Sequence, residues 1–232
     1  MPQDIAAVVV AAGAGRRLGG TNKALLVLAG RPMLAWSLAA LRAAPSVGQI
    51  LVVMSAADEA RLRAESGRDA RGWGADRVIP GGAERWESSR NGVAAALPAF
   101  EFAIVHDAAR PLLVADDVER LAAALRAQGA ALLAEPLSDT LKESDGAARV
   151  RRTLPREGLW RAQTPQGGRR VEMLAAYSAW DAARDGLPTD EAVLLERAGL
   201  APVLVPASGP NFKITLPHDL LLAEALLAAR RR

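Results

Sequence analysis

Gly13 and Gly15 close an apolar run that begins at Ile5, and Arg16, Arg17 and Lys23 follow in the stretch VVVAAGAGRRLGGTNKALLVL. Bare glycine backbone lets N–H groups approach an anion closely. The cations behind it would neutralise charge that builds on a phosphorus under attack. Phosphoryl and nucleotidyl transfer depend mainly on positioning and charge stabilisation, so no nucleophilic side chain is required. The spacing Gly13, Gly15, Gly19 is G-x-G-x-x-x-G, one residue out of the dinucleotide fingerprint, and Gly-Thr-Asn-Lys-Ala does not supply a P-loop. The segment therefore reads as a polyphosphate cradle; the plain alternative is a glycine-lined turn with solvated arginines. Of the 29 basic residues only Lys23, Lys142 and Lys213 are lysines. Lysine is a compact, mobile point charge where arginine is a planar fork. Its use at Lys23 and Lys213, both in motif-like surroundings, points to a need for the ammonium itself.

Other reactive residue types cluster in the same way. Gly81-Gly82 with Ser88, Asp107 with Arg110, and Lys213 each follow or sit in an apolar run. Asp107 ends one such run, where a carboxylate would face a ligand crevice; as a purely structural residue it would cap the turn into Ala108-Ala109. His106 reads as a packing or hydrogen-bonding residue, Ser88 and Ser89 also suit an ordinary early helical turn, and Trp160 and Trp180 suit core or interface anchors. Asp116-Asp117 suits a helix N-terminus, which favours acids, and no residue is assigned as a metal ligand.

Composition narrows the chemistry. The 232 residues contain no cysteine, which excludes disulfides, thiolate catalysis and cysteine-bound metal, and which fits a cytoplasmic protein. The two histidines, His106 and His218, do not support a histidine-rich metal site. The net charge is +3 and the basic residues are mixed with acidic ones, without the basic, aromatic-laced stripe of a nucleic-acid binder. No apolar run is long enough to span a membrane, and the N-terminus reads as a first strand instead of a signal peptide.

These residues need a frame that brings distant segments together. Strands are expected at Ile5–Ala11, Ile50–Met54, Arg77–Ile79, Phe102–His106, Ala130–Glu135, Pro202–Val205 and Phe212–Thr215. Helices are expected at Arg31–Ala43, Ala57–Glu65, Glu84–Leu97, Asp116–Ala127, Arg169–Ala183, Asp190–Ala198 and Pro217–Arg230. The alternation predicts an α/β fold, a Rossmann-like, mostly parallel sheet with helices on both faces. Ligands of such sheets sit at the carboxyl ends of the strands, where the four suspicious segments fall. Thr140–Glu143 and Ala148–Thr153 flank Asp145-Gly146, a two-residue turn signal. This hairpin is too polar to bury itself and is expected to project as an arm.

The order AAGAGRR with Lys23, GGAERWESS, VHDAARP, Asp139-Thr140, GLWRAQTPQ, TDEA and NFKIT resembles the 2-C-methyl-D-erythritol 4-phosphate cytidylyltransferases, from Val8 to about Leu222. The resemblance implies a fold of the nucleotide-diphospho-sugar transferase type and a single nucleotidyltransferase domain over 1–232, with 137–159 as a β-arm for dimerisation. It implies transfer of CMP from CTP to methylerythritol 4-phosphate with release of pyrophosphate, with Mg²⁺ held mainly by the CTP phosphates. Ala11, Ala12, Gly13, Gly15, Gly82 and Ser88 would bind CTP. Arg17 and Lys23 would stabilise the pentavalent phosphorus, while Arg156 and Lys213 would hold the sugar phosphate in line. Asp107, Ala108, Arg110, Thr140 and Thr164 would bind substrate, with Arg110, Thr140, Arg156 and Thr164 acting on the neighbouring subunit's site. Asn22 stands where the family commonly has proline, and Ala83 where it commonly has a polar residue. A ribitol 5-phosphate cytidylyltransferase, a dinucleotide-dependent oxidoreductase and a non-catalytic nucleotide sensor are the competing readings.

Overall fold

The computed structural model describes residues 2–12 and 22–230. The elements in chain order are β1 (Ile5–Val10), β2 (Val27–Leu28), β3 (Arg31–Pro32), α1 (Met33–Arg42), β4 (Val47–Val53), α2 (Ala56–Ser66), β5 (Arg77–Ile79) and α3 (Arg85–Ala95). There follow β6 (Phe102–Asp107), α4 (Ala115–Gln128), β7 (Ala130–Pro136), β8 (Leu141–Ser144), β9 (Val150–Leu154) and β10 (Trp160–Arg169). The chain closes with α5 (Arg170–Ala179), α6 (Ala182–Asp185), α7 (Glu191–Arg197), β11 (Val203–Pro206) and α8 (Pro217–Arg230).

Among the described residues seven strands form one sheet in the order β11-β7-β10-β6-β1-β4-β5. β1 pairs in parallel with β4 and β6, β4 with β5, and β7 with β11, while β10 runs antiparallel to both its neighbours. The mostly parallel sheet expected from the alternation is therefore present. Successive side chains of a strand point to opposite faces, and the core divides accordingly. Ile5, Ala7 and Val9 join Phe102, Ile104, Leu38 and Leu121 on one side. Ala6 and Val8 join Val105, Val93, Met173 and Leu194 on the other. β1 and most of β4, β6 and β7 are apolar because both faces are covered. A third, smaller cluster seats Ala223 and Leu227 of α8 on Leu28, Met33 and Ile214, which ties the C-terminal helix to the segment carrying Lys23.

Three expectations change. The run Trp160–Arg169 carried no strand assignment, yet β10 lies in the middle of the sheet. Pro165 and the pair Gly167-Gly168 hide it, since proline and glycine ordinarily weaken a strand reading. Here glycine is needed: a Cβ at Gly167 would lie 2.1 Å from the Ala103 carbonyl oxygen. Phe212–Thr215 is not a strand; it is extended chain held by the Ile214 N–H, which donates to the Ala109 carbonyl at 2.8 Å. The helix expected over Arg169–Ala183 breaks at Trp180 into α5 and α6.

The arm is present as a separate two-stranded sheet, with Leu141 opposite Leu154 and Glu143 opposite Arg152. Its tip is a five-residue loop, 145–149, instead of a two-residue turn. Asp145 Oδ1 accepts from the N–H groups of Ala147 and Arg149, and Ala148, not Gly146, takes the left-handed conformation at φ 59°.

Gly92 is the tightest helix–sheet contact that the site depends on. A Cβ there would meet Val8 Cγ1 at 2.2 Å and Val53 Cγ2 at 2.9 Å. Overpacking of this kind typically costs about 1–3 kcal/mol. Gly92→Ala should lower the urea midpoint accordingly and loosen α3, whose first residue enters the site.

Candidate active site

Strands β1, β4 and β6 end side by side, and beyond their carboxyl ends lies a cleft of about 510 Å³. Its walls include Ala11, Ala12, Lys23, Gly82, Ser88, Asp107, Ala108 and Lys213, segments far apart in sequence. Eight sequence-predicted residues thus meet in one place. Gly13, Gly15 and Arg17 lie outside the described residues. The Gly81-Gly82 loop follows β5 and lies against β1. A Cβ at Gly81 would sit 2.8 Å from Ala12 Cβ, and one at Gly82 would sit 2.4 Å from Glu87 Cβ, so both positions require bare backbone. The buried Ser88 hydroxyl accepts from the Gly82 N–H at 3.0 Å and donates to the Glu84 carbonyl at 3.2 Å. Ser88 therefore shapes the loop, and Gly82 presents it to the cleft.

Asp107, the last residue of β6, is the charge centre. Its Oδ1 accepts from Arg85 Nε at 2.9 Å and its Oδ2 from Lys213 Nζ at 2.8 Å. Its backbone N–H donates to Thr164 Oγ1 at 3.0 Å. Burial alone would push this carboxyl up, but Arg85, Lys213 and Arg110 outweigh burial and hold it well below the usual carboxylate range. Lys213 is exposed although both its neighbours, Phe212 and Ile214, are apolar. Its side chain is 42% exposed at the cleft, and the anion it needs is already supplied by Asp107.

Lys23 lines the same cleft from the segment after β1. Asn22 caps the short turn 23–25: its Oδ1 accepts from the Ala24 N–H at 3.0 Å while its Nδ2 donates to the Ala11 carbonyl at 2.6 Å. Asn22 thus ties the end of β1 to the start of the lysine turn. Lys23 Nζ lies 3.4 Å from the Ile214 carbonyl and 3.3 Å from the Thr215 carbonyl, so the two lysine-bearing segments touch.

The remaining assignments divide. Thr164 is buried in its own chain, where the β10–β7 ladder is interrupted between Ala162 and Gln166, and its hydroxyl is shared by the Asp107 N–H and His106 Nδ1. Arg110 donates to the Asn211 carbonyl at 2.8 Å and also reaches the Ala162 carbonyl. Both residues bond groups of their own chain around the end of β6. Thr140 and Arg156 are exposed, lie at the base of the arm and do not line this cleft; Arg156 bonds the Ser138 carbonyl.

The family model for 2-C-methyl-D-erythritol 4-phosphate cytidylyltransferase matches residues 5–229. The chain belongs to that family. It is 46% identical to the cytidylyltransferase of that name from Laribacter hongkongensis over 224 residues, 95% of each chain. It is 44% identical to the one from Chromobacterium violaceum, over 97% of this chain and 98% of the relative. Among solved structures it superposes on the Thermus thermophilus enzyme of the same name with a TM-score of 0.76 at 34% identity, covering 95% and 98% of the two chains. The 4-diphosphocytidyl-2C-methyl-D-erythritol synthase of Anaerococcus prevotii gives 0.79 at 27% identity, covering 97% and 98%.

Sequence reasoning passed over Arg85, which lines the cleft, and the buried Glu191 behind it. Both lie in the quoted motifs GGAERWESS and TDEA. The available signal was an arginine at the first position of a helix, the end where a cation is disfavoured. His106, fully buried behind Asp107, has a testable signature. Burial drives its imidazole down to about 4, against the pull of Asp107. The unfolded chain then takes up the proton first as pH falls below about 6.5, and stability drops until the folded-state value is reached. Between pH 7 and pH 5 this should remove about 2 kcal/mol. Urea unfolding of His106→Gln should show a pH slope smaller by that amount.

Proposed function

We infer that the chain transfers CMP from CTP to 2-C-methyl-D-erythritol 4-phosphate, forming 4-diphosphocytidyl-2-C-methyl-D-erythritol and pyrophosphate. One observation carries this reading: Lys23, Lys213, Asp107 and the Gly82 loop line a single cleft at the strand ends. The reaction brings two anions together, so orientation and neutralisation supply most of the catalysis. A phosphate oxygen of the polyol phosphate attacks the α-phosphorus of CTP, the bond to the β-phosphate oxygen breaks, and pyrophosphate leaves. Lys23, together with Arg17, stabilises the charge on the pentavalent phosphorus. Ala11, Ala12, Gly13, Gly15 and Gly82 bring backbone to the nucleotide, and Ser88 holds the Gly82 turn against the base. Lys213 binds the polyol phosphate, while Asp107 with the adjoining Ala108 receives its hydroxyls.

Magnesium fits this cleft as a passenger of the nucleotide. Both carboxylate oxygens of Asp107 are occupied by cations, and Glu84, the other acidic wall residue, is engaged in the capping box of α3. Mg²⁺ retains waters and is commonly bound through substrate phosphates, and when bound it would reduce the charge of the triphosphate. Lys23 and Lys213 would flank that complex.

The unit acts as a homodimer, with residues 137–159 as the dimerising arm of one nucleotidyltransferase domain. The arm's exposed strands, with Val150 65% exposed, and the placement of Arg156 and Thr140 off the lining of their own cleft support this. Arg156 and Thr140 would then complete the partner's cleft, Arg156 holding the polyol phosphate in line. The cysteine-free composition fits a cytoplasmic enzyme.

Purified protein should release pyrophosphate from CTP with methylerythritol phosphate, and not from ATP; turnover with ribitol 5-phosphate alone would overturn the substrate assignment. Lys23→Ala should lower kcat by ~10²–10³ with the fold retained. If Arg156 acts across the dimer, mixing inactive Lys23→Ala and Arg156→Ala chains should restore roughly a quarter of wild-type sites through heterodimers. No restoration would place Arg156 in its own subunit's reaction.

A further inference from the structure

Arg85 occupies the first turn of α3, where the helix dipole disfavours a cation and where the capping box of Glu84 and Glu87 already satisfies the helix end. Its presence there has a tertiary cause. Arg85 Nη1 and Nη2 donate to Glu191 Oε1 and Oε2 at 2.9 and 3.0 Å, a two-bond pairing, while Nε donates to Asp107 Oδ1 at 2.9 Å. Glu191 opens α7 and is 1% exposed; the buried Tyr177 hydroxyl donates to its Oε1 at 3.4 Å. The guanidinium is thus a planar bridge between a carboxylate fixed in the core and a carboxylate on the cleft wall. An ammonium lacks the five-donor fork needed to do this.

We propose that Glu191 and Arg85 are positioning residues for the transfer: the core-anchored pair holds Asp107 by Oδ1 and leaves Oδ2, now occupied by Lys213, as the one oxygen a substrate hydroxyl can take. Lys213 in turn is held ready by Asp107 until a phosphate draws it away. This rests on the reaction inferred above. The groups that face Asp107 are Arg85 from α3, Lys213 from the segment before α8, Arg110 and His106 from the end of β6 and the turn after it, and Thr164 from β10. Two of them bind the carboxylate oxygens directly, and Arg85 is the only one of those anchored by a second buried charge.

The test compares wild type, Arg85→Lys, Glu191→Asp, Asp107→Asn and the double variant Arg85→Lys/Asp107→Asn. Pyrophosphate release from CTP and methylerythritol phosphate is followed from pH 5 to 9, with urea unfolding in parallel. Arg85→Lys and Glu191→Asp keep the charges but break the bridge, so kcat/KM should fall about ten- to hundredfold. An acid limb should appear beyond the one that the substrate phosphate, with its second pKa of about 6, gives every form, because Asp107 loses the fixed guanidinium contact that helps to keep it ionised. The double variant should be no worse than Asp107→Asn and should lack that limb. Lower unfolding midpoints with kcat/KM within about threefold of wild type and an unchanged pH profile would overturn the role. Should Arg85→Lys fail to fold, Glu191→Asp carries the same comparison. Wild-type protein silent with both substrates would overturn the assigned reaction and the positioning role with it.

Discussion

A carboxylate at the end of a buried strand can remain ionised only if cations reach it, and much of this molecule is arranged to bring them. Asp107 ends β6 between Arg85 and Lys213, and neither comes from a neighbouring segment of sequence. Removing one partner of a buried charge cluster leaves the others uncompensated. The position of α3, the docking of α7 and the path of the chain before α8 are therefore coupled through one side chain. The sheet supplies the fixed point: β6 pairs with β1 on one side and β10 on the other, so Asp107 has little freedom of its own.

The cleft is built from loops of different stiffness. The Gly81-Gly82 turn is clamped by Ser88 and pressed against Ala12, with no room for a side chain at either glycine. The Lys23 turn is tied to β1 by Asn22 and to the C-terminal segment by contacts with Ile214 and Thr215 carbonyls. Lys213, by contrast, extends half-exposed from irregular chain. One side of the cleft is thus clamped by internal hydrogen bonds, and the other carries an exposed lysine held by its ion pair with Asp107.

The alternation of apolar runs and helical patterns was enough to read six of the seven sheet strands, because strands buried on both faces advertise themselves as unbroken apolar stretches. β10 was illegible for the complementary reason: its close approach to β6 requires glycine, and glycine carries no pattern. Residues that line the cleft were legible where their type is rare, as with Lys23 and Lys213, or where they end an apolar run, as with Asp107. Arg85 was not, since one arginine among many is unremarkable until its two carboxylate partners are seen. Thr164 and Arg110 were found as residues, but their hold on the chain around Asp107 was not legible, because a motif records which side chains belong together and not what each one touches.

The antiparallel passage of β10 between β6 and β7 also constrains how the molecule is made. β7 has only β11 and β10 as sheet partners, and both lie later in the chain. A nascent polypeptide ending before Trp160 would therefore carry β6 and β7 with unpaired edges, and the parallel half could not be joined to the rest. Non-local pairing of this kind is slow and leaves such edges open to other chains. The order in which the ribosome delivers the strands makes the residue-160 segment the bolt that closes the sheet, and the same bolt carries the threonine that grips the Asp107 backbone.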